Sequence, residues 1–221
     1  MPPPKFERAR SAEAKRIRET AILEAAARLA GEHGVRAVTL TDIAGDVGMH
    51  KSAMLRYFET REEIFLRLAT DEWTRWSRDV RDQLERLDAE HSRAEDVAGV
   101  LAEALVARPL FCDLLAHTPL NLERGVSFPA VRAFKVGAIA EAEAVGAAVC
   151  EVLPLAPEQG GDVVATATAM AGALWQMAAP GTELRRFYQD TPELAHAVVD
   201  VGPRLTGILT ALLRGYAAPG R

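Results

Sequence analysis

Apolar residues recur at three- and four-residue spacing along nearly the whole chain, and the two-residue alternation of a half-buried strand is almost absent. Ile17, Ala21, Ala25 and Leu29 recur every fourth residue, with Ile22, Ala26 and Ala30 beside them. This predicts a helix from about Ser11 to His33, with Gly34 placed to stop it. Thr39-Leu-Thr-Asp42 reads as a shortened capping box opening a short helix with Leu40, Ile43, Ala44 and Val47, which Gly48 breaks. A second short helix is expected over about Lys51 to Tyr57, and the capping box Thr60-Arg-Glu-Glu63 opens a long one through Leu87. Ser92-Arg-Ala-Glu95 is another capping box. Pro109 opens a segment to about Ala116, and Pro129 opens a helix that ends before Pro154. A long apolar helix is expected from Asp162 to Ala179, ended by Pro180-Gly181. The last should run from Thr191-Pro192 to about Tyr216, kinked at Pro203. With no Asn-Gly or Asp-Gly hairpin between apolar runs, the fold class is all-α.

Length and composition narrow the setting. At 221 residues, 49% hydrophobic and 26% charged, the chain has an ordinary globular mix. It has no apolar run of membrane-spanning length and no apolar signal-peptide core at its start. Cys112 and Cys150 cannot make a disulfide framework, so a reducing cytoplasm is the expected location. The net charge of −5 is unevenly placed: residues 1–61 hold eleven basic and eight acidic side chains, net +3, and the rest is acidic. A basic head on an acidic body suits a partner such as a polyanion at the head, although a solvated tail would carry the same charge.

Two short helices joined by Asp46-Val-Gly-Met49 and resting on a longer first helix form a helix-turn-helix, whose second helix projects into a DNA major groove. Met54, Leu55 and Phe58 are expected to pack inward, leaving Lys51, Ser52, Ala53, Arg56 and Tyr57 outward. That face offers cations for guanine, a hydroxyl, and a methyl for thymine. Any short helix with a solvated outer side would share the pattern. The stretch Ile22-Leu-Glu-Ala-Ala-Ala27, Gly34, Thr39-Leu-Thr-Asp-Ile-Ala44, Val47-Gly48, Tyr57-Phe58, Thr60-Arg61 and Glu63 resembles the DNA-binding domain of the tetracycline-repressor (TetR) family of bacterial transcription regulators. The resemblance covers residues 22–68, and the remaining chain is similar only in being helical and of suitable length. It implies base contacts from Lys51, Ser52, Ala53 and Arg56 and phosphate contacts from Thr39, Thr41, Tyr57 and Arg61. The basic run Lys5, Arg8, Arg10, Lys15, Arg16 and Arg18 is a candidate for further backbone or minor-groove contacts. Departures from the family pattern are His50 in place of the usual capping Ser, Ser52 for Gly, Met54 for Leu, Leu55 for Tyr and Arg61 for Lys.

No P-loop, GxGxxG, HExxH or GxSxG pattern is present, and the five histidines are scattered, so no catalytic residue, metal or cofactor is expected. The acidic body holds large apolar residues with a few polar ones among them. Phe111, Phe134 and Trp175, with Asn121 or Gln176 supplying a hydrogen bond, are the candidate lining of a pocket for a small apolar effector; a plain packed core is the alternative. Ala165, Ala169, Gly172 and Ala173, with the stripe Leu205, Ile208, Leu209 and Leu212, suggest a homodimer interface. The expected organisation is a flexible basic arm (1–10), a helix-turn-helix DNA-binding domain (11–60) and a helical-bundle effector-binding and dimerisation domain (61–221). The expected function is a repressor on a palindromic double-stranded operator, released by its effector. The competing expectation is a small-molecule-binding or enzymatic helical bundle with a vestigial helix-turn-helix.

Overall fold

The computed structural model describes the backbone of residues 5–217 and the side chains of 13–217. Helices α1 (Lys5–His33), α2 (Leu40–Asp46) and α3 (Lys51–Met54) come first. They are followed by α4 (Arg61–Leu84), α5 (Ala94–Val106), α6 (Pro109–His117), α7 (Phe128–Val152) and α8 (Pro157–Ala178). The chain ends with α9 (Glu183–Asp190) and α10 (Val201–Ala217). No strand occurs among the described residues.

The head is a three-helix unit closed by the start of α4. Ile22, Ala25, Ala26 and Ala30 of α1 pack with Ile43 and Ala44 of α2, Met54 and Phe58, and Ile64, Phe65 and Leu68 of α4, all buried. Ile17, by contrast, lies 62% exposed, so the buried stripe of α1 starts one turn later than the four-residue spacing suggests. Helix α1 starts at Lys5, within the expected flexible arm. The run from Lys5 to Ala30 contains neither glycine nor proline, so nothing in it stops the helix. Residues 1–4, and the side chains of Lys5, Arg8 and Arg10, lie outside the described residues.

Caps set most boundaries. Thr39 is the N-cap of α2: its Oγ1 accepts from the Asp42 N–H at 3.2 Å while its own N–H donates to Asp42 Oδ2 at 2.8 Å. Gly48 takes a left-handed φ of +65° in the turn, a conformation that costs glycine little. Thr60 caps α4 by accepting from the Glu63 N–H at 3.1 Å, but Glu63 reaches back to the Glu59 N–H rather than to Thr60. The cap of α5 falls one residue later than expected: Arg93 is its N-cap, with Asp96 Oδ2 accepting from the Arg93 N–H at 2.8 Å.

In the body α4 is the spine, with α7 along it, α8 against α7 and α6, and α10 against α5 and α8. Helix α8 begins a turn earlier than expected, at Pro157, because proline suits the first helical turn. It crosses α7 where two glycines meet: a Cβ on Gly160 would lie 2.6 Å from the Gly146 carbonyl oxygen. Beyond α6 the chain winds through one π-type turn, Thr118–Leu122, since Pro119 has no N–H to continue the α pattern.

The C-terminal segment differs most from expectation. The single helix expected after Thr191 is instead a 3-10 turn (Pro192–Ala197) followed by α10, in which Pro203 occupies the first turn and kinks nothing. Helix α9 lies where the sequence analysis expects no helix. It buries no residue, yet Leu184, Phe187 and Tyr188 recur at helical spacing, so the segment carries a periodic signal that the expected elements leave out. The stripe Leu205 and Leu209 is fully buried inside the protomer with Leu213, while Ile208 and Leu212 are half-buried. Leucines that cover α5 and α8 within one chain are not free to cover a second copy.

Candidate nucleic-acid interface and effector cleft

The turn after α2 delivers α3 with His50 as its N-cap. His50 Nδ1 lies 2.9 Å from the Ser52 hydroxyl and 3.4 Å from the Ser52 N–H, so an imidazole fills the role a serine hydroxyl usually plays. Lys51, Ser52 and Arg56 face outward, and Ala53 and Tyr57 are half-buried at the edges of this face. Met54 and Phe58 point into the core as expected, but Leu55 is 53% exposed, not packed inward. The α-helical part of α3 is a single turn, so Met54 and Phe58, four residues apart, take the inward positions and Leu55 is rotated out.

Thr41 is exposed on the first turn of α2. The Thr39 hydroxyl is occupied in its cap, donating to Asp42 Oδ2 at 2.7 Å. Hydrogen bonds from Thr39 hold the Asp42 carboxyl below its usual range. Lys15 and Arg18 of α1 share one groove with Arg56 and Tyr57, so candidate base and phosphate contacts stand together.

Arg61 stands apart from this face. Its guanidinium donates to the carbonyls of Val35 and Val38, pairs with Glu62 at 3.1 Å, and stacks 4.6 Å over the Phe65 ring. Its side chain is 16% exposed. The expected phosphate contact is therefore replaced by an inward clamp on the α1–α2 loop. A planar fork can serve two carbonyls at once, and the loop offers two.

The residues expected to line one effector pocket are split. Phe111 is fully buried in an aromatic trio with Trp73 and Trp76, at centroid distances of 5.5 and 5.9 Å. Phe134 belongs to a groove between α4 and α7, beside Phe58, Leu66 and Thr70. Asn121 is exposed on the π-type turn. Trp175 and Gln176 do come together, in a cleft of about 500 Å³ between the end of α1, α6 and the end of α8.

At the floor of that cleft lies Asp113, which no spacing in the sequence singles out. Its carboxylate accepts from the Val35 N–H at 2.6 Å and from Gln176 Nε2 at 2.7 Å, with His117 Nε2 at 3.5 Å. Burial pushes this carboxyl up, but hydrogen bonds from His117, Val35 and Gln176 outweigh burial and leave it below its usual range. Asp113 thus ties the loop after α1 to two helices of the body. Among the described residues no group of three or more potential metal ligands occurs, and no helix is long and apolar enough to cross a membrane.

A helix-turn-helix with an outward basic face, carried on a separate helical body, defines a DNA-binding regulator. Residues 22–68 match the family described as bacterial regulatory proteins, tetR family, and residues 70–220 match the tetracyclin repressor-like C-terminal domain. The chain belongs to the TetR family of transcriptional regulators. Among solved structures it is similar to the fatty acid degradation regulator FadR from Bacillus halodurans, at 15% identity and a TM-score of 0.58 over 88% of this chain and 94% of that one. The regulator FadR from Bacillus subtilis, in complex with stearoyl-CoA, aligns at 13% identity and 0.54, over 87% and 97%. The multidrug binding protein EbrR, complexed with imidazole, aligns at 21% identity and 0.54, over 89% and 94%. At these identities the likeness is one of fold. No curated protein matches the chain.

Proposed function

We propose that this regulator is a homodimeric repressor whose hold on a palindromic operator is released by a small molecule bound to its body. The observation that carries the DNA half is the outward face of Lys51, Ser52 and Arg56, flanked by Lys15, Arg18 and Tyr57. Lys51 and Arg56 read guanine edges, and exposed Leu55 and half-buried Ala53 offer apolar contact to a thymine methyl. Thr41 on the first turn of α2, Tyr57, and the cations of α1 meet phosphates, while Thr39, whose donors are both held by Asp42, sets the cap that presents them. Residues 11–60 act as the DNA-binding unit and 61–221 as the effector-binding and dimerisation unit.

Small exposed residues favour a dimer through α8 and α10. Gly161, Ala165, Ala169 and Ala173 form an outer stripe on α8, and Gly207, Ala211 and Gly215 form one on α10. Two such stripes let helices of a second copy approach closely, and a two-fold pair reads half-sites about 34–36 Å apart. The body cleft of Trp175 and Gln176 is the effector site of this reading.

The test is selection of bound duplexes from random DNA, then a salt titration on the selected site. A palindromic consensus is expected. With about 6–10 phosphate contacts per dimer, affinity should fall roughly 10³- to 10⁵-fold between 50 and 200 mM salt. No consensus together with a flat salt response would overturn the reading.

A further inference from the structure

The cleft between α1, α6 and α8 has an electrostatic imbalance. Asp113, 13% exposed at its side chain, finds His117 as its ion-pair partner among the described residues and neither Lys nor Arg within range. A buried carboxylate without a permanent cation is costly unless something else supplies the charge. The charged groups lining the cleft are Glu32, Asp113 and Arg36, with the imidazoles of His33 and His117, so anionic charge exceeds permanent cationic charge there. Glu32 is already near Arg28 at 3.8 Å and His33 at 3.7 Å, which leaves Asp113, hydrogen-bonded but facing no Lys or Arg, as the carboxylate whose charge a guest could meet. Trp175 stands half-buried in the same wall beside Leu110 and Pro109, an aromatic and apolar surface next to the carboxylate. His117 Nδ1 is buried without a hydrogen-bond partner.

We infer that this cleft is a binding site for an organic cation, an ammonium or protonated amine with an apolar body, held by the Asp113 carboxylate and the Trp175 ring. The carboxylate supplies the opposite charge and the indole face a cation–π contact, and Leu110 and Pro109 cover the apolar part. Hydrogen bonds keep Asp113 ionised at neutral pH, so the charge is present when the guest arrives. The position of the cleft gives binding a consequence. The same carboxylate holds the Val35 N–H, in the loop that leads from α1 to α2. A cation drawing on Asp113 competes with Val35 and Gln176 for its oxygens and loosens the head from α6 and α8. This second step rests on the regulator reading above, and the first does not.

The probe is benzyltrimethylammonium, with its uncharged carbon isostere neopentylbenzene as comparator. The readout is the indole N–H resonances of the full chain, which has three tryptophans. The Trp175 signal should shift saturably with the cation while that of fully buried Trp76 stays still, and neopentylbenzene should bind at least about tenfold more weakly. Asp113→Asn should weaken the cation at least about tenfold and leave the isostere unchanged. If Asp113→Asn does not fold, calorimetric titration of Trp175→Leu replaces it, with loss of cation binding expected. An unmoved Trp175 signal, equal binding of cation and isostere, or a variant that binds the cation within twofold of wild type overturns the site. The cation should also lower affinity for the selected operator by the factor by which operator lowers cation affinity. Asp113-dependent binding without any change in operator affinity overturns the coupling. A protein that binds no duplex overturns the regulator reading, while the tryptophan titration still decides the site.

Discussion

Replacing Arg61 with alanine separates two roles for this side chain. As a phosphate contact, which its place in the family pattern implies, Arg61 would contribute to DNA affinity and little to stability. As the structure has it, the guanidinium donates to the Val35 and Val38 carbonyls and stacks on Phe65. Hydrogen bonds from a charged donor are worth about 1.5–3 kcal/mol each, and the stacking about 0.5–1 kcal/mol. Val35 and Val38 are 1% and 2% exposed, so water replaces the lost donors only in part. Together these give about 3.5–7 kcal/mol, and the side chain's 16% exposure places the expected cost in the lower part of that range, about 3.5–5 kcal/mol. Urea denaturation at neutral pH measures it. Arg61→Lys should recover less than half, because one ammonium cannot span both carbonyls. On DNA, losing one phosphate contact per protomer would flatten the salt slope of a dimer by about 1.8, whereas loss of an internal clamp leaves it unchanged. A variant of wild-type stability with a flattened salt slope would refute the clamp and restore the phosphate contact.

Three further outcomes follow from the packing. Ala169→Glu, on the exposed stripe of α8, should give a folded monomer by sedimentation, whereas Leu209→Glu, fully buried in the protomer, should fail to fold; a folded Leu209→Glu monomer would move the interface to α10's leucines. Gly172→Ala places a Cβ 2.8 Å from the Ala116 backbone nitrogen, so overpacking of about 1–3 kcal/mol should exceed the helix-propensity gain of about 1 kcal/mol and lower the melting temperature. Gly99→Ala, with nothing within 4 Å, should raise it instead. For Asp113 the native carboxyl sits below its ordinary value of 3.8, so its contribution is full above that value and is lost as pH falls through the lower native one. The stability gap between wild type and Asp113→Asn, measured by denaturation, should therefore close below about pH 4, and a gap that stays constant from pH 7 downward would show that the charge contributes nothing.

What the sequence by itself determined is local. The starts of α2 and α4 follow from Thr39 and Thr60, whose hydroxyls reach backbone N–H groups within three residues and need no other part of the chain, whereas α4 ends at Leu84, a turn before the expected Leu87. The stop at Gly34 and the turn at Gly48 were legible for the same reason, since a left-handed φ is a property of one residue. The outward face of Lys51, Ser52 and Arg56 was legible because a periodic pattern fixes which side of a helix is apolar, although not where Leu55 goes once the helix ends after one turn. Tertiary structure decided what lies between elements. That Leu205 and Leu209 cover α5 and α8, not a second copy, depends on which neighbours arrive first at an apolar stripe, and a stripe looks the same in either case. Arg61 turns inward because the α1–α2 loop presents two carbonyls 23 and 26 residues away. Phe111, Phe134 and Trp175 are alike in sequence, yet one sits in a core trio, one in a groove beside α4 and one in a cleft. Asp113 carried no signal at all, because its partners Val35 and Gln176 are 78 and 63 residues distant and meet it only when α1, α6 and α8 pack together.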